Sequence, residues 1–320
     1  MPSAPSEFQI IKRYFEGVGP IDKQLVNQGI GDDCAVINPP ANKSLCFSLD
    51  TMVEGRHFPK SAPPQQLAIR AMSASLSDLA AMGASPAFFT LSLTLPDSDP
   101  DWLEGFSRGL KYMAERYQLS LLGGDTTRGP LTIGIQVHGF TAQDKALRRS
   151  GATEGEVLVV TGCLGDAGAA LDLLDKSALS GVEEYLLGRY YAPTPRFAEG
   201  LLITPYASAC IDISDGLLAD AGHIAESSSC GLRIDLDALP LSKELREFSK
   251  DRAALLALTA GDDYELLFTI PEEGWQVLES KAEASAFTRI GRVEPKSFGV
   301  KVFSGEQEVE IERKGFQHFE

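Results

Sequence analysis

Histidine is scarce in this chain, with four residues in 320, and no H-E-x-x-H pair occurs, which argues against a catalytic zinc. The five cysteines (Cys34, Cys46, Cys163, Cys210 and Cys230) are scattered, odd in number and without a C-x-x-C pair. They read as reduced thiols of a cytoplasmic protein rather than a disulfide framework. A G-x-x-x-x-G-K-[ST] loop and an H-R-D loop are both missing, which disfavours P-loop and protein-kinase mechanisms. Basic residues are in the minority: 29 Lys plus Arg face 45 Asp plus Glu, a formal net charge of −16. That balance argues against nucleic acid as a partner, since such proteins neutralise phosphates with a basic surface. Long apolar runs are also lacking. The most apolar stretch, Val157 to Leu174, contains Asp166 and Asp172 and reads as strand, turn and helix rather than a membrane span. The opening Met1-Pro2-Ser3-Ala4-Pro5-Ser6-Glu7 has neither a basic nor an apolar targeting region, so no signal peptide is expected.

What is present is a globular composition, 43% hydrophobic and 23% charged. At roughly 150 residues per domain the length implies two domains. Helical spacing runs through Ser6–Phe15, Pro64–Met82 and Ser98–Tyr117, and the last begins with Pro100 and acids and ends with bases, as the helix dipole favours. Strand-like runs are Ser44–Leu49, Ala87–Leu95, Ser120–Leu122 and Leu131–Phe140. The polar stretch Thr141–Glu156 marks a boundary, giving expected domains 1–148 and 149–320. Beyond it come strands at Val157–Thr161, Cys210–Ile213, Gly231–Leu236, Tyr264–Thr269, Thr288–Val293 and Gly299–Phe303, with helices at Ala167–Asp175 and Leu217–Ser227. Strands alternating with helices in both halves imply two α/β domains.

Two motif matches fail. Gly105-Phe106-Ser107-Arg108-Gly109 fits G-x-S-x-G, but its serine sits in an amphipathic helical pattern instead of a strand-to-helix elbow. Gly162 to Gly168 follows a strand and opens a helix without G-x-G-x-x-G spacing, and reads as a tight turn with close helix packing.

What survives is a set of aspartates in unusual settings. Asp32 and Asp33 follow a glycine turn, Asp50 ends an apolar strand, and Asp78 lies inside a small, apolar helix. Asp125 follows Gly123-Gly124, Asp212 and Asp215 flank Ser214, and Asp262-Asp263-Tyr264-Glu265 precedes an apolar strand. A lone aspartate of this kind is a cap or turn former. Asp78 fits that role poorly, and Asp50 and Asp125 fit it only in part. Carboxylates there are costly unless paired or metal-bound, and few Lys or Arg are near in sequence. Divalent cations, Mg2+ above all, are the natural compensators, because they bridge carboxylates to substrate phosphates. They also explain how a chain of charge −16 could bind a polyanion such as ATP. The expected chemistry is Mg2+-dependent phosphoryl transfer without a P-loop.

Several segments, in order along nearly the whole chain, resemble the thiamine-monophosphate kinase family. They are Gly29–Ala35, Asp50 through Phe58, Ser77–Gly83, Gly123–Pro130, Arg149–Ala152, Ile211–Leu217, Gly261–Glu265 and Gly315–Phe319. The family is part of the aminoimidazole ribonucleotide synthetase and selenophosphate synthetase superfamily. The resemblance implies a two-domain α/β (α+β) aminoimidazole ribonucleotide synthetase-like fold, with mixed sheets flanked by helices. It implies an N-terminal domain for ATP, Mg2+ and dimerisation and a C-terminal domain completing the active site of a cytoplasmic homodimer. It implies phosphate transfer from ATP to thiamine phosphate. Carried over by motif, Asp33, Ser48, Asp50, Asp78, Asp125 and Asp212 would bind Mg2+, and Asp215 a further ion. Gly124, Asp125, Arg149 and Ser214 would contact ATP, and His57, Asp262 and Phe316 would line the thiamine phosphate site. The family often has Glu where this chain has Asp262 and Trp or Tyr where it has Phe316. No residue is expected to act as a covalent catalyst, because the phosphate acceptor brings its own nucleophilic oxygen. The alternatives are another synthetase of the superfamily, against which Cys34 reads as core packing instead of a reactive thiol, and a non-catalytic nucleotide-binding scaffold.

Overall fold

The structure is a computed structural model that describes residues 6–281, 286–311 and 315. The chain divides into two compact units, Met1–Leu79 with Ala84–Asp144, and Ala80–Gly83 with Lys145–Glu320.

The first unit opens with α1 (Glu7–Ile10). The Ser6 hydroxyl accepts from the Gln9 N–H and the Gln9 side chain answers on the Ser6 N–H, closing both ends of a capping box. A π turn, Ile11–Phe15, continues it and buries Tyr14 and Phe15. The strands β1 (Val26–Gln28) and β2 (Val36–Ile37) pair antiparallel as a separate ribbon. Then follow β3 (Lys43–Val53), α2 (Pro64–Ala81), β4 (Ser85–Leu95), α3 (Pro100–Tyr117), β5 (Ser120–Arg128) and β6 (Thr132–Ala142). The sheet has the order β3-β6-β4-β5, with β4 and β5 parallel and the other pairs antiparallel.

Period-two alternation splits β3. Ser44, Cys46, Ser48, Asp50 and Met52 are partly or fully buried on one face, while Leu45, Phe47, Leu49 and Val53 are exposed on the other. Helix α2 is buried almost all round, which its small residues allow. Its neighbour α3 starts at an Asp99 cap with Pro100 next and ends at left-handed Gln118. A Cβ on Gly109 of α3 would stand 2.4 Å from the Gln65 carbonyl oxygen, so the glycine lets the two helices close. Ser107 is buried there and donates to the Glu104 carbonyl, which accounts for the G-x-S-x-G match as packing.

The second unit contains β7 (Val157–Thr161), α4 (Asp166–Ala170), α5 (Gly181–Tyr191), α6 (Phe197–Ile203), β8 (Ala209–Asp212) and α7 (Leu217–Ser228). It continues with β9 (Gly231–Asp235), α8 (Lys243–Ser249), α9 (Ala253–Thr259), β10 (Leu266–Ile270), α10 (Glu272–Lys281), β11 (Phe287–Glu294), β12 (Val300–Ser304) and β13 (Gln307–Val309). Its seven-stranded mixed sheet has the order β13-β12-β9-β11-β7-β10-β8. Both faces are covered. Leu158, Val160, Ile211 and Leu267 pack with Leu217, Ile224 and Leu258, whereas Val157, Val159, Cys210 and Phe268 pack with Ile203, Trp275 and Leu278. Continuous apolar strands such as Val157–Thr161 follow from that double cover. The tetrapeptide Ala80–Gly83, at and beyond the end of α2, packs within this unit. A Cβ on Gly200 would lie 2.3 Å from the Ala80 carbonyl oxygen, and Leu147 N donates to the Met82 carbonyl at 3.1 Å.

The α/β architecture agrees with the sequence reading, and three local expectations change. Asp50 does not end its strand, because β3 continues to Val53 with Asp50 opposite Ile135. The apolar run at Ser120 does not stop before the glycines, and β5 carries Gly123, Gly124 and Asp125 within it. Cys34 is exposed, not core packing. No helix among the described residues is long and apolar enough to cross a membrane.

Candidate active site

In the first unit β3 and α2 bring three of the expected residues together. Ser48 donates its hydroxyl proton to Asp78 Oδ2. Asp50 lies two residues along the same face of the strand. Burial pushes its carboxyl up to about 6, the nearby Asp78 carboxylate adds to the rise, and a hydrogen bond from Ser75 opposes it. Half-buried acids this near one another repel, and oxygen donors of this kind suit a divalent cation.

A second group lines a cavity of about 680 Å3 in the same unit. Gly31, Asp32, Asp33 and Cys34 stand on one part of its wall, Gly123, Gly124, Asp125 and Thr126 on another, and Phe8, Ile11, Phe15 and Leu121 add apolar surface. Asp33 and Asp125 are exposed, so the cost of burial inferred for Asp125 from its apolar strand does not apply. Gly124 lies opposite Leu91 with φ 153°, and a Cβ there would fall 1.9 Å from the Leu91 carbonyl oxygen. Only glycine lets β5 lie this close to β4 while presenting backbone to the cavity.

His57 follows the end of β3. Its Nδ1 accepts from the Val53 N–H at 3.0 Å, which leaves the proton of the neutral ring on Nε2. Buried Arg70 donates to the His57 carbonyl at 3.5 Å.

The second unit holds the remaining described residues. Asp212 ends β8 and is buried, and Ser214 and Asp215 form the turn into α7. The N–H groups of Ser214, Asp215 and Gly216 all donate to Asp220 Oδ2, at 3.1, 3.1 and 3.2 Å. Burial pushes the Asp220 carboxyl up to about 7, the Asp215 carboxylate reinforces this, and the three N–H groups work against it. Among the described residues Asp215, Asp220 and His223 form one group whose ligand atoms lie within 4.8 Å of one another. Oxygen and imidazole donors at that spacing fit a divalent cation.

The segment carrying Asp262 is laced to this turn. Asp262 N donates to the Ser214 carbonyl at 2.9 Å, Tyr264 N to the Ile213 carbonyl at 2.8 Å, and Ile213 N to the Glu265 carbonyl at 2.8 Å. Arg149 is exposed, in a turn held by Ser228, whose hydroxyl accepts from Gly151 N and Ala152 N and donates to the Arg149 carbonyl, each at 3.1 Å. Phe316 lies outside the described residues.

Sequence reasoning missed Ser75, Asp220, Ser228 and the buried residues around Glu265. An aspartate within the first turns of a helix reads as ordinary dipole complement, and only the fold reveals that Asp220 gathers three backbone donors.

Comparison with known proteins gives the chain's family. The AIR synthase related protein N-terminal domain matches residues 31–141, and the corresponding C-terminal domain matches residues 153–302. The thiamine-monophosphate kinase of Salmonella typhimurium is 44% identical over 323 residues, spanning 99% of each chain. That of Bacillus subtilis is 32% identical over 314 residues, or 93% of this chain and 95% of the relative. The crystal structure of thiamine-monophosphate kinase from Stenotrophomonas maltophilia superimposes with a TM-score of 0.83 at 40% identity, covering 94% of this chain and 96% of the other. A structure of AaThiL complexed with AMPPCP and TMP does so with a TM-score of 0.79 at 36% identity, covering 91% and 92%.

Proposed function

We propose, for a chain that belongs to the AIR synthase related family and within it to the thiamine-monophosphate kinases, transfer of the ATP γ-phosphate to thiamine phosphate, giving thiamine diphosphate and ADP. The observation that carries this is the relative that holds AMPPCP, an ATP analogue, together with TMP on a chain 36% identical to this one.

Two finer features belong to the same proposal: dependence on Mg2+ and direct in-line transfer. The acceptor is a phosphate monoester with a second pKa of about 6, largely dianionic at neutral pH. A nucleophilic oxygen is therefore already present, and the protein has to align two anions rather than remove a proton. In the first unit Asp33, Ser48, Asp50, Asp78 and Asp125 would hold Mg2+; in the second, taken by itself, Asp212 would hold Mg2+ and Asp215 a further ion. The donor chemistry fits: all are oxygen ligands, and a cation would offset the burial and the Asp78 charge that push the Asp50 carboxyl up to about 6. Mg2+, when bound, would supply neutralising positive charge to the phosphates. Gly124 and Asp125 present the cavity wall to ATP, Ser214 offers a hydroxyl from a turn fixed by Asp220, and Arg149 offers a guanidinium to phosphate. His57, Asp262 and Phe316 would meet thiamine phosphate.

A cytoplasmic homodimer completes the reading. Its support is the exposed apolar row on edge strand β3, where Phe47 is 64% and Leu49 60% exposed, a pattern that marks an interaction face. The reading is tested by supplying ATP and thiamine phosphate to the purified protein and measuring ADP and thiamine diphosphate, with and without chelator. Equimolar products that vanish with chelator are expected. ADP without thiamine diphosphate would reject the acceptor, undiminished transfer in chelator would reject the metal, and a labelled phosphoryl group trapped on the protein from ATP alone would reject direct transfer.

A further inference from the structure

Asp262 and Tyr264 both hold left-handed backbone, with φ 69° and 51°. Such conformations cost non-glycine residues energy and persist only where the surroundings impose them. Here the surroundings do so from two sides. Gly261 lies so close to the 213–214 segment that a Cβ would stand 2.2 Å from the Ser214 carbonyl oxygen. On the other side two acids turn inward. Asp263, 1% exposed, accepts from Gly165 N at 2.7 Å. Glu265, fully buried, accepts from Arg196 Nε at 2.6 Å, Arg196 Nη2 at 2.5 Å, Arg189 Nη2 at 2.8 Å and the Thr161 hydroxyl at 2.6 Å. With its two acidic neighbours drawn in, Asp262 stays half-buried, and its Oδ1 accepts from the Tyr264 hydroxyl at 3.0 Å.

We infer that Glu265, gripped by Arg189 and Arg196, and the Tyr264 hydroxyl are positioning residues that aim the Asp262 carboxylate at the cationic, amine-bearing rings of thiamine phosphate rather than at its phosphate. The inference rests on the assignment of Asp262 to the substrate. Three considerations support it. A buried ion pair is a weak source of stability, since apolar residues of equal volume often serve as well, but a bidentate Arg–carboxylate fork fixes direction. The two guanidiniums are turned to carboxylates, Arg189 to Glu265 and Asp166 and Arg196 to Glu265 and Glu199, so they are not set out for phosphate. A carboxylate repels a phosphate and attracts a thiazolium cation, or accepts from an aromatic amine.

The test uses the full-length protein with Mg2+ and ATP, and compares Glu265→Gln, Tyr264→Phe and Asp262→Asn. It measures KM for thiamine phosphate, KM for ATP, the inhibition constant of thiamine (which lacks the phosphate) and the melting temperature. Within each of Glu265→Gln and Tyr264→Phe, the thiamine phosphate KM and the thiamine inhibition constant are expected to rise together, by about tenfold in Tyr264→Phe, which loses one charge-assisted hydrogen bond. The ATP KM stays within about twofold, a split that general loosening of the fold would not produce. If the ATP KM rises in step, or if thiamine binding moves in Asp262→Asn but in neither other variant, the positioning role is overturned. If Asp262→Asn leaves thiamine binding unchanged, the substrate assignment of Asp262 falls, and the inference with it. Should Glu265→Gln fail to fold, Tyr264→Phe, which leaves every ion pair in place, decides the matter.

Discussion

Ser48, on the edge strand β3, hydrogen-bonds through its hydroxyl to Asp78 in the body of α2, thirty residues further along the chain. That bond ties the sheet to the helix at the point where Asp50 and Asp78 face each other. The hydroxyl satisfies one carboxylate oxygen of Asp78. The arrangement makes this corner of the first unit sensitive to charge, and the first two expectations come from it.

Asp50→Asn keeps the shape of the side chain and removes one of two neighbouring charges. The carboxyl has its folded pKa raised to about 6, so the folded state favours the neutral form. Ionised Asp50 therefore lowers stability as pH rises from the unfolded value through about 6. The variant should melt at the same or a higher temperature at neutral pH, yet lose about 100-fold or more in kcat/KM. Thermal melting and product formation at saturating Mg2+ check both; near-normal turnover would take Asp50 out of the metal set.

Proton and cation compete for the same oxygens. The Mg2+ concentration for half-maximal activity should climb as pH falls through about 6 in the native protein. Asp50→Asn should flatten that climb. Metal titrations across the pH range supply the measurement, and a flat native profile would refute the competition.

Arg149 owes its placement to Ser228, which bridges the Arg149 carbonyl and the N–H groups of Gly151 and Ala152. Arg149→Ala should raise the ATP KM about tenfold and leave the thiamine phosphate KM in place. Ser228→Ala should do the same more weakly, and Ser228→Thr should restore it. A larger effect on thiamine phosphate would move this turn to the other substrate.

Asp263 is buried, its Oδ1 has no hydrogen-bond partner among the described residues, and burial raises its carboxyl well above the ordinary range. A raised folded pKa means that the native state holds the proton more tightly than the unfolded chain does. Its contribution to stability is full below the unfolded pKa of about 3.9 and is lost as pH rises. Asp263→Asn imitates the protonated form, so the variant should outlast the native protein at alkaline pH and match it near about pH 4. Melting curves over that range settle it; a constant difference at every pH would contradict the account.

Phe47→Glu places a charge amid Leu45 and Leu49 on the exposed row of β3. The expected result is a monomer by sedimentation, with the melting temperature of the first unit little changed. A native chain already monomeric at micromolar concentration would remove the dimer.

Elements whose signals are local were legible in the sequence. Pro100 after Asp99 marks the start of α3, and the unbroken apolar run at Val157–Thr161 marks a strand covered on both faces. Helices α5, α6, α8, α9 and α10 were not legible; α6, α8 and α9 have seven residues each, too few to repeat a helical period. At the site, Asp50 and Asp78 stand out in the sequence by their apolar surroundings, but nothing local announces the contact of Asp78 with Ser48. Glu265 stands out only as part of a motif, since its partners Arg189 and Arg196 lie 76 and 69 residues away. A pair formed across that distance has no spacing to recognise.

The tetrapeptide Ala80–Gly83 is lodged in the unit that otherwise begins at Lys145. A gene fragment started at Lys145 thus lacks the backbone against which Gly200 is flush. Anyone wishing to express that half separately should graft those four residues back, since one scissor cut cannot part this polypeptide into two whole pieces.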